Sequence, residues 1–149
     1  MAYPCMSNTD ILRKNEKQLL PAGYSSDHVF DIVIGDYRGT AEVDGFNSET
    51  RDAIEICFSE TEGSSPKPGQ KRKLASDVLK LIFLKDLGLI NRGRVYLTSV
   101  ELYTWCQQSG SWLNAARTKY GITVELKSLP KASRKQVKHA LSKARMEQH

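Results

Sequence analysis

Residues 29–58 read VFDIVIGDYRGTAEVDGFNSETRDAIEICF, and the fold turns on how this stretch divides. VFDIVI (29–34) and TAEVDGF (40–46) flank the Gly-containing turn GDYRG, which is the pattern of two strands joined closely. Polar Asn47–Asp52 separates them from AIEICF (53–58), a short run whose length and β-branched, aromatic composition suit a central strand. Upstream, TDILRKNEKQLL (9–20) has an N-cap at Thr9 or Asp10, near-helical spacing of Ile11, Leu12, Leu19 and Leu20, and a stop at Pro21. Downstream, the breaker TEGSSPKPG (61–69) reads as a loop. The helix that follows, over 70–88, places Leu74, Ala75, Val78, Leu79 and Ile82 on one face and stops at Gly88. RVYLTS (94–99) and TVELKSL (123–129, ended by Pro130) are strand candidates, and a helical pair interrupted at Gly110 lies between them. The last helix, 131–147, aligns Val137, Ala140, Leu141 and Ala144. The order α-β-β-β-α-β-α-β-α predicts an α/β domain: one mixed β-sheet flanked by helices on both faces, ending in a basic helix.

The chain has 149 residues, which suits a single domain over 1–149 with a core that needs no staples. Apolar residues are 40% and charged residues 26%, too apolar for a disordered chain. No run approaches the roughly 18 apolar residues of a membrane span, and the start MAYPCMSNTD lacks the apolar core of a signal peptide. Cys5, Cys57 and Cys106 are an odd, widely spaced set without a CxxC pair. They argue against a disulfide framework or zinc site and for a reducing, cytoplasmic compartment. The net charge of +5 is carried at one end: Lys131, Arg134, Lys135, Lys138, Lys143 and Arg145 stand there against the single acid Glu147. Such an end suits a polyanion such as nucleic acid, with Lys131, Arg134, Lys135 and Lys138 as the contacts; a solvated lysine-rich helix has the same composition.

The acids of the second and third strands carry the chemical signal. Alternation puts Glu42 and Asp44 on one face of AEVDGF, and it puts Glu55 with Ala53 and Cys57 on one face of AIEICF. A carboxylate in the middle of an apolar strand is costly to bury alone. A cation between Asp44 and Glu55 would remove that cost. Hard oxygen ligands with open positions for water and phosphate suit Mg²⁺, or Mn²⁺ in its place. Such an ion activates water and neutralises charge on a phosphodiester.

Asp44-Gly45 at the end of one strand and Ile54-Glu55-Ile56-Cys57 in the next resemble the PD-(D/E)XK nuclease superfamily, the restriction-endonuclease-like proteins. The resemblance implies an αβββαβ core over about 9–99, with 100–149 as elaboration. It also implies a metal-dependent endonuclease acting on DNA, with Asp44 and Glu55 as catalytic metal ligands and Glu16 of the first helix as an added acid. The family's lysine, two positions after the second acid, is Cys57 here. In some relatives that lysine has moved to the following helix. At 100° per residue Lys71 falls at the centre of the Leu74, Ala75, Val78, Ile82 face, while Lys73 and Lys80 point away, so Lys71 is the expected replacement. Alternatively, Cys57 marks a catalytically inactive nucleic-acid-binding or assembly module on the same fold.

A ribonuclease H-like fold also opens with three sequential strands and would use Asp31 or Asp36 with Glu101, but it leaves Glu55 without a task. His28, His139 and His149 lack metal-ligand spacing and read as surface residues. Trp105, Trp112, Tyr103 and Tyr120 read as packing between the helical pair and the sheet. No phosphate loop and no GxSxG elbow is present. One short chain presents one active site, so cutting both strands of a duplex implies a homodimer.

Overall fold

The computed structural model describes residues 8–58, 65–108 and 110–147. Helix α1 (Asn8–Leu19) leads into strands β1 (Ser25–Ile34), β2 (Tyr37–Asn47) and β3 (Asp52–Cys57). Helix α2 (Pro68–Asp86), strand β4 (Arg92–Leu97), helices α3 (Val100–Gln108) and α4 (Trp112–Lys119), strand β5 (Thr123–Leu126) and helix α5 (Lys131–Glu147) follow. The five strands form one sheet in sequence order, antiparallel from β1 to β3 and parallel from β3 to β5. The chain is thus a single α/β domain with a mixed sheet.

Every residue of β3 is buried, as a central strand requires, the acids Asp52 and Glu55 included. The larger core lies between the sheet and α2–α4, where Val43, Phe46, Ala53, Cys57 and Val95 meet Leu74, Val78, Leu81 and Leu102. On the other face Ile54, Ile56 and Tyr96 pack with Leu19 and Leu20 at the end of α1. Gly45 allows that close approach, since a Cβ there would lie 2.3 Å from Leu20 Cδ2. Val137 and Ala140 of α5 are fully buried and α5 packs along α1, while Leu141 is half-buried; the Ala144 side chain lies outside the described residues. The α2 helix ends at Asp86, and Gly88 takes the left-handed φ of +76° just beyond it. The expected breaker loop is described only from residue 65.

Three packing expectations are corrected. β1 begins at Ser25 rather than Val29, because polar Ser25–His28 is drawn into the ladder opposite Val43–Phe46. His28 is a half-buried residue, stacked on Phe46 at 4.5 Å and edge-on to Phe30 at 4.6 Å, not a surface one. Tyr103 and Trp105 pack on the core, but Trp112 is 77% exposed and Tyr120 49%. Those two rings instead border an open groove of about 660 Å³ between α2 and α4, with Leu79 and Phe83 on its other side. Among the described residues no helix is long and apolar enough to cross a membrane.

Candidate functional site

The sheet comes apart at one residue. The β1–β2 ladder pairs Ser26 with Gly45 and His28 with Val43 but skips Asp27 and Asp44, and the β2–β3 ladder stops at Gly45–Ile54. Asp27 has the left-handed φ of +52°, a conformation that Asp tolerates better than most residues. The irregularity also explains why Val43 and Phe46 both reach the larger core, which strict alternation forbids for residues three apart. Asp44 replaces the missing main-chain pairing. Its Oδ2 accepts the Ile56 N–H at 2.6 Å, and its own N–H donates to Glu55 Oε1 at 3.2 Å.

Glu16, from the penultimate turn of α1, closes over this gap. Glu16, Asp27 and Asp44 each bring one carboxylate oxygen to within 4.8 Å of the others. All three are half-buried. On the α2 side Glu55 is 2% exposed, and its Oε2 receives the Lys80 ammonium at 3.1 Å. Lys80 also donates to the Glu42 carbonyl at 2.9 Å. Asp77, equally buried, is held by Lys73 at 2.9 Å and hydrogen-bonds to Glu55.

Five carboxyl groups therefore face two lysines. Burial, with Asp44 and Asp27 beside it, pushes Glu16 up to about 7. Burial, then the Asp44 and Asp77 charges, pushes Glu55 up to about 9 against the pull of Lys80. Asp44 is raised by burial as well, against the Ile56 N–H that favours its charged form. This excess of negative charge is what a divalent cation would relieve, and an all-oxygen donor set suits Mg²⁺ or Mn²⁺.

The structure thus brings together Asp44, Glu55 and Glu16, and adds Asp27. Glu55 stands beside the carboxylate triad, with its two oxygens engaged by the Asp44 N–H and Lys80. Lys71 does not join them: its ammonium lies 4.9 Å over the Trp105 ring. The buried face of α2 is rotated from the expected one. Its stripe is Gln70, Leu74, Asp77, Val78, Leu81 and Leu84, which turns the helix by about 80° from the stripe read through Ala75 and Ile82. Lys73 and Lys80 then flank the acids, and Lys71 falls on the opposite border. Cys57 is buried, and burial followed by the Asp77 charge pushes its thiol up to about 12, so it stays protonated and inert.

Asp31 is exposed and pairs with Thr40, roughly 13 Å along β2 from Asp44; Asp36 is exposed in the β1–β2 turn, and Glu101 bonds Ser99 at 3.0 Å. The alternative acids are not gathered. Glu42 is exposed, and only its carbonyl meets the site. On α5, Lys131, Arg134, Lys135 and Lys138 are exposed, along the helix that packs against the one carrying Glu16. Comparison with protein-family models, curated proteins and solved structures finds no match to this chain.

Proposed function

We propose that the chain is a divalent-metal-dependent nuclease that hydrolyses phosphodiester bonds, with DNA as substrate. The gathering of Glu16, Asp27 and Asp44 within 4.8 Å, at the point where β2 parts from both neighbours, carries this reading. Held by that triad beside Glu55, Mg²⁺ would supply a Lewis acid for the phosphoryl oxygen and lower the pKa of water. Asp44 is fixed for this task by the Ile56 N–H. Glu55, fixed by the Asp44 N–H and Lys80, can hold a proton near neutral pH and orient a water toward phosphorus. Lys80, with Lys73 behind it, takes the cationic role first expected of Lys71 and offsets charge that builds on the phosphate. The exposed basic residues of α5 would hold the strand by its phosphates, which gives affinity without sequence preference. Two copies are needed to cut both strands of a duplex.

The testing experiment is cleavage of duplex, branched and single-stranded DNA and RNA in Mg²⁺, Mn²⁺ or chelator. Metal-dependent products that disappear in Asp44→Asn and Glu55→Ala support the nuclease. Intact substrate throughout, with salt-sensitive binding in all three proteins, replaces it with a non-catalytic nucleic-acid-binding module, the reading that Cys57 and the Glu55–Lys80 pair would then favour.

A further inference from the structure

The face of α2 that points away from the core is not that of a solvated helix. At 100° per residue Arg72, Ser76, Leu79, Phe83 and Asp86 fall within about 80° of arc, opposite buried Leu74 and Leu81. All five are exposed, Leu79 to 66%. Beside this ridge runs the groove of about 660 Å³ whose far wall is Trp112, Leu113, Ala116 and Tyr120 of α4. Large apolar side chains next to an apolar groove, with Trp112 77% exposed beside them, form a contiguous patch of the kind that marks an interface.

Charge says what covers it. The ridge is apolar in the middle and oppositely charged at its ends, with Arg72 and Asp86 about 21 Å apart along the helix. Neither side chain has an ion pair or hydrogen bond among the described residues. Each also stands toward the end of α2 that the helix dipole disfavours for it: no acid occupies the first turn, and Asp86 closes the last. Lys85 does not offset Asp86, since its ammonium donates to the Tyr120 carbonyl at 2.9 Å. A second α2 laid antiparallel across the first answers all of this. With a two-fold axis at Leu79, Arg72 faces the second copy's Asp86, Ala75 faces the second copy's Phe83, and Leu79 meets its own equivalent. A parallel arrangement would set like charges together at both ends, so the charges select the antiparallel one. Small Ala75 opposite large Phe83 lets the ridge of each copy enter the groove of the other.

We propose that this face is an isologous interface: the α2 ridge of one copy lies antiparallel on that of a second copy and fills its α2–α4 groove, with an Arg72–Asp86 pair at each end. Lys73 and Lys80, about 90° round the helix from the ridge, keep their contacts with Asp77 and Glu55, so pairing leaves the acidic site of each copy intact. The pairing stands independently of the nuclease reading, which asks for two copies without saying where they meet.

The test is sedimentation equilibrium of the full chain over a wide concentration range, in chelator and without nucleic acid. Arg72→Glu, Asp86→Arg, the double variant and Leu79→Asp are compared with wild type; all change exposed side chains, where substitution leaves the fold standing. The wild type should be a concentration-dependent dimer. Each single charge reversal sets like charges together at both ends and should weaken the dimer about tenfold or more. Leu79→Asp should abolish it, and the double variant should regain most of the wild-type affinity. The sharpest arm is an equimolar mixture of the Arg72→Glu and Asp86→Arg chains. It should form the mixed dimer, in which both end pairs are again of opposite sign, although each chain pairs poorly with itself. A wild type that stays monomeric at every concentration would overturn the proposal and leave the groove to a terminal segment or to another protein. A dimer indifferent to Leu79→Asp would overturn it too, as would single reversals that neither the double variant nor the mixture rescues. Cleavage plays no part in these outcomes: failure of the nuclease reading leaves the dimer standing, and a monomer that cleaves leaves the nuclease.

Discussion

The Asp44 carboxylate takes an N–H that a strand carbonyl would normally accept, and by doing so it opens β2 to Glu16 and Asp27. The acids so gathered are raised above their ordinary value near 4.5, Glu16 to about 7 and Glu55 to about 9. The folded chain then holds more protons than the unfolded one, so without metal its stability falls as pH rises from about 4.5 through 7, and further toward 9. Thermal midpoints in chelator between pH 5 and 9 should show that decline, and Mn²⁺ should raise the midpoint more at the alkaline end. A flat profile in chelator contradicts the raised values. Glu16→Gln should stabilise the metal-free chain at pH 8 and weaken Mn²⁺ binding by about tenfold or more, on the order of 1.4 kcal/mol. Thermal midpoints in chelator read the first half and calorimetric titration with Mn²⁺ the second. Among the lysines, Lys80→Ala should lower cleavage by on the order of 10²–10³, while Lys71→Ala leaves it nearly unchanged. Equal loss in both would return the cationic role to Lys71.

At the scale of elements, Arg94 of β4 ties the parallel half of the sheet to the turn after α1. Its guanidinium bonds Asp52 of β3 at 3.1 Å, Glu125 of β5 at 3.0 Å and the Tyr24 hydroxyl, which itself donates to Asp52. Asp52 is 4% exposed, so Arg94→Met strands a buried carboxylate and should cost about 3–5 kcal/mol in urea unfolding, whereas removing both partners should cost less. The elements themselves were largely legible, because strand alternation, the apolar run of β3 and the stops at Pro21 and Gly88 are local signals. The rotation of α2 was not. A stripe drawn through apolar residues alone omits Gln70 and Asp77, and these polar residues are buried and set which lysines meet the acids. Asp27 was equally hidden, since its role comes from a skipped ladder position and a left-handed φ rather than from its neighbours in sequence. Asp44 and Glu55 could be read because an acid inside an apolar strand violates the pattern around it.

Across the whole molecule, the positive end of the chain lies on α5, which packs along α1, the helix that carries Glu16. Replacing Lys131, Arg134 and Lys135 together by Gln should weaken binding of all sequences alike and reduce the salt slope of log K by about 0.9 for each duplex phosphate no longer neutralised. An unchanged slope would place the polyanion surface elsewhere. A last consequence concerns the thiols. Cys57 and Cys106 are each 1% exposed, and burial pushes them to about 12 and 11. A thiol-modifying reagent can therefore reach them only through opening of the layer between the sheet and its helices. Their labelling rates, read by mass spectrometry, become a built-in clock for how often that layer breathes, and a ligand that bridges α1, β2 and α2 should slow it.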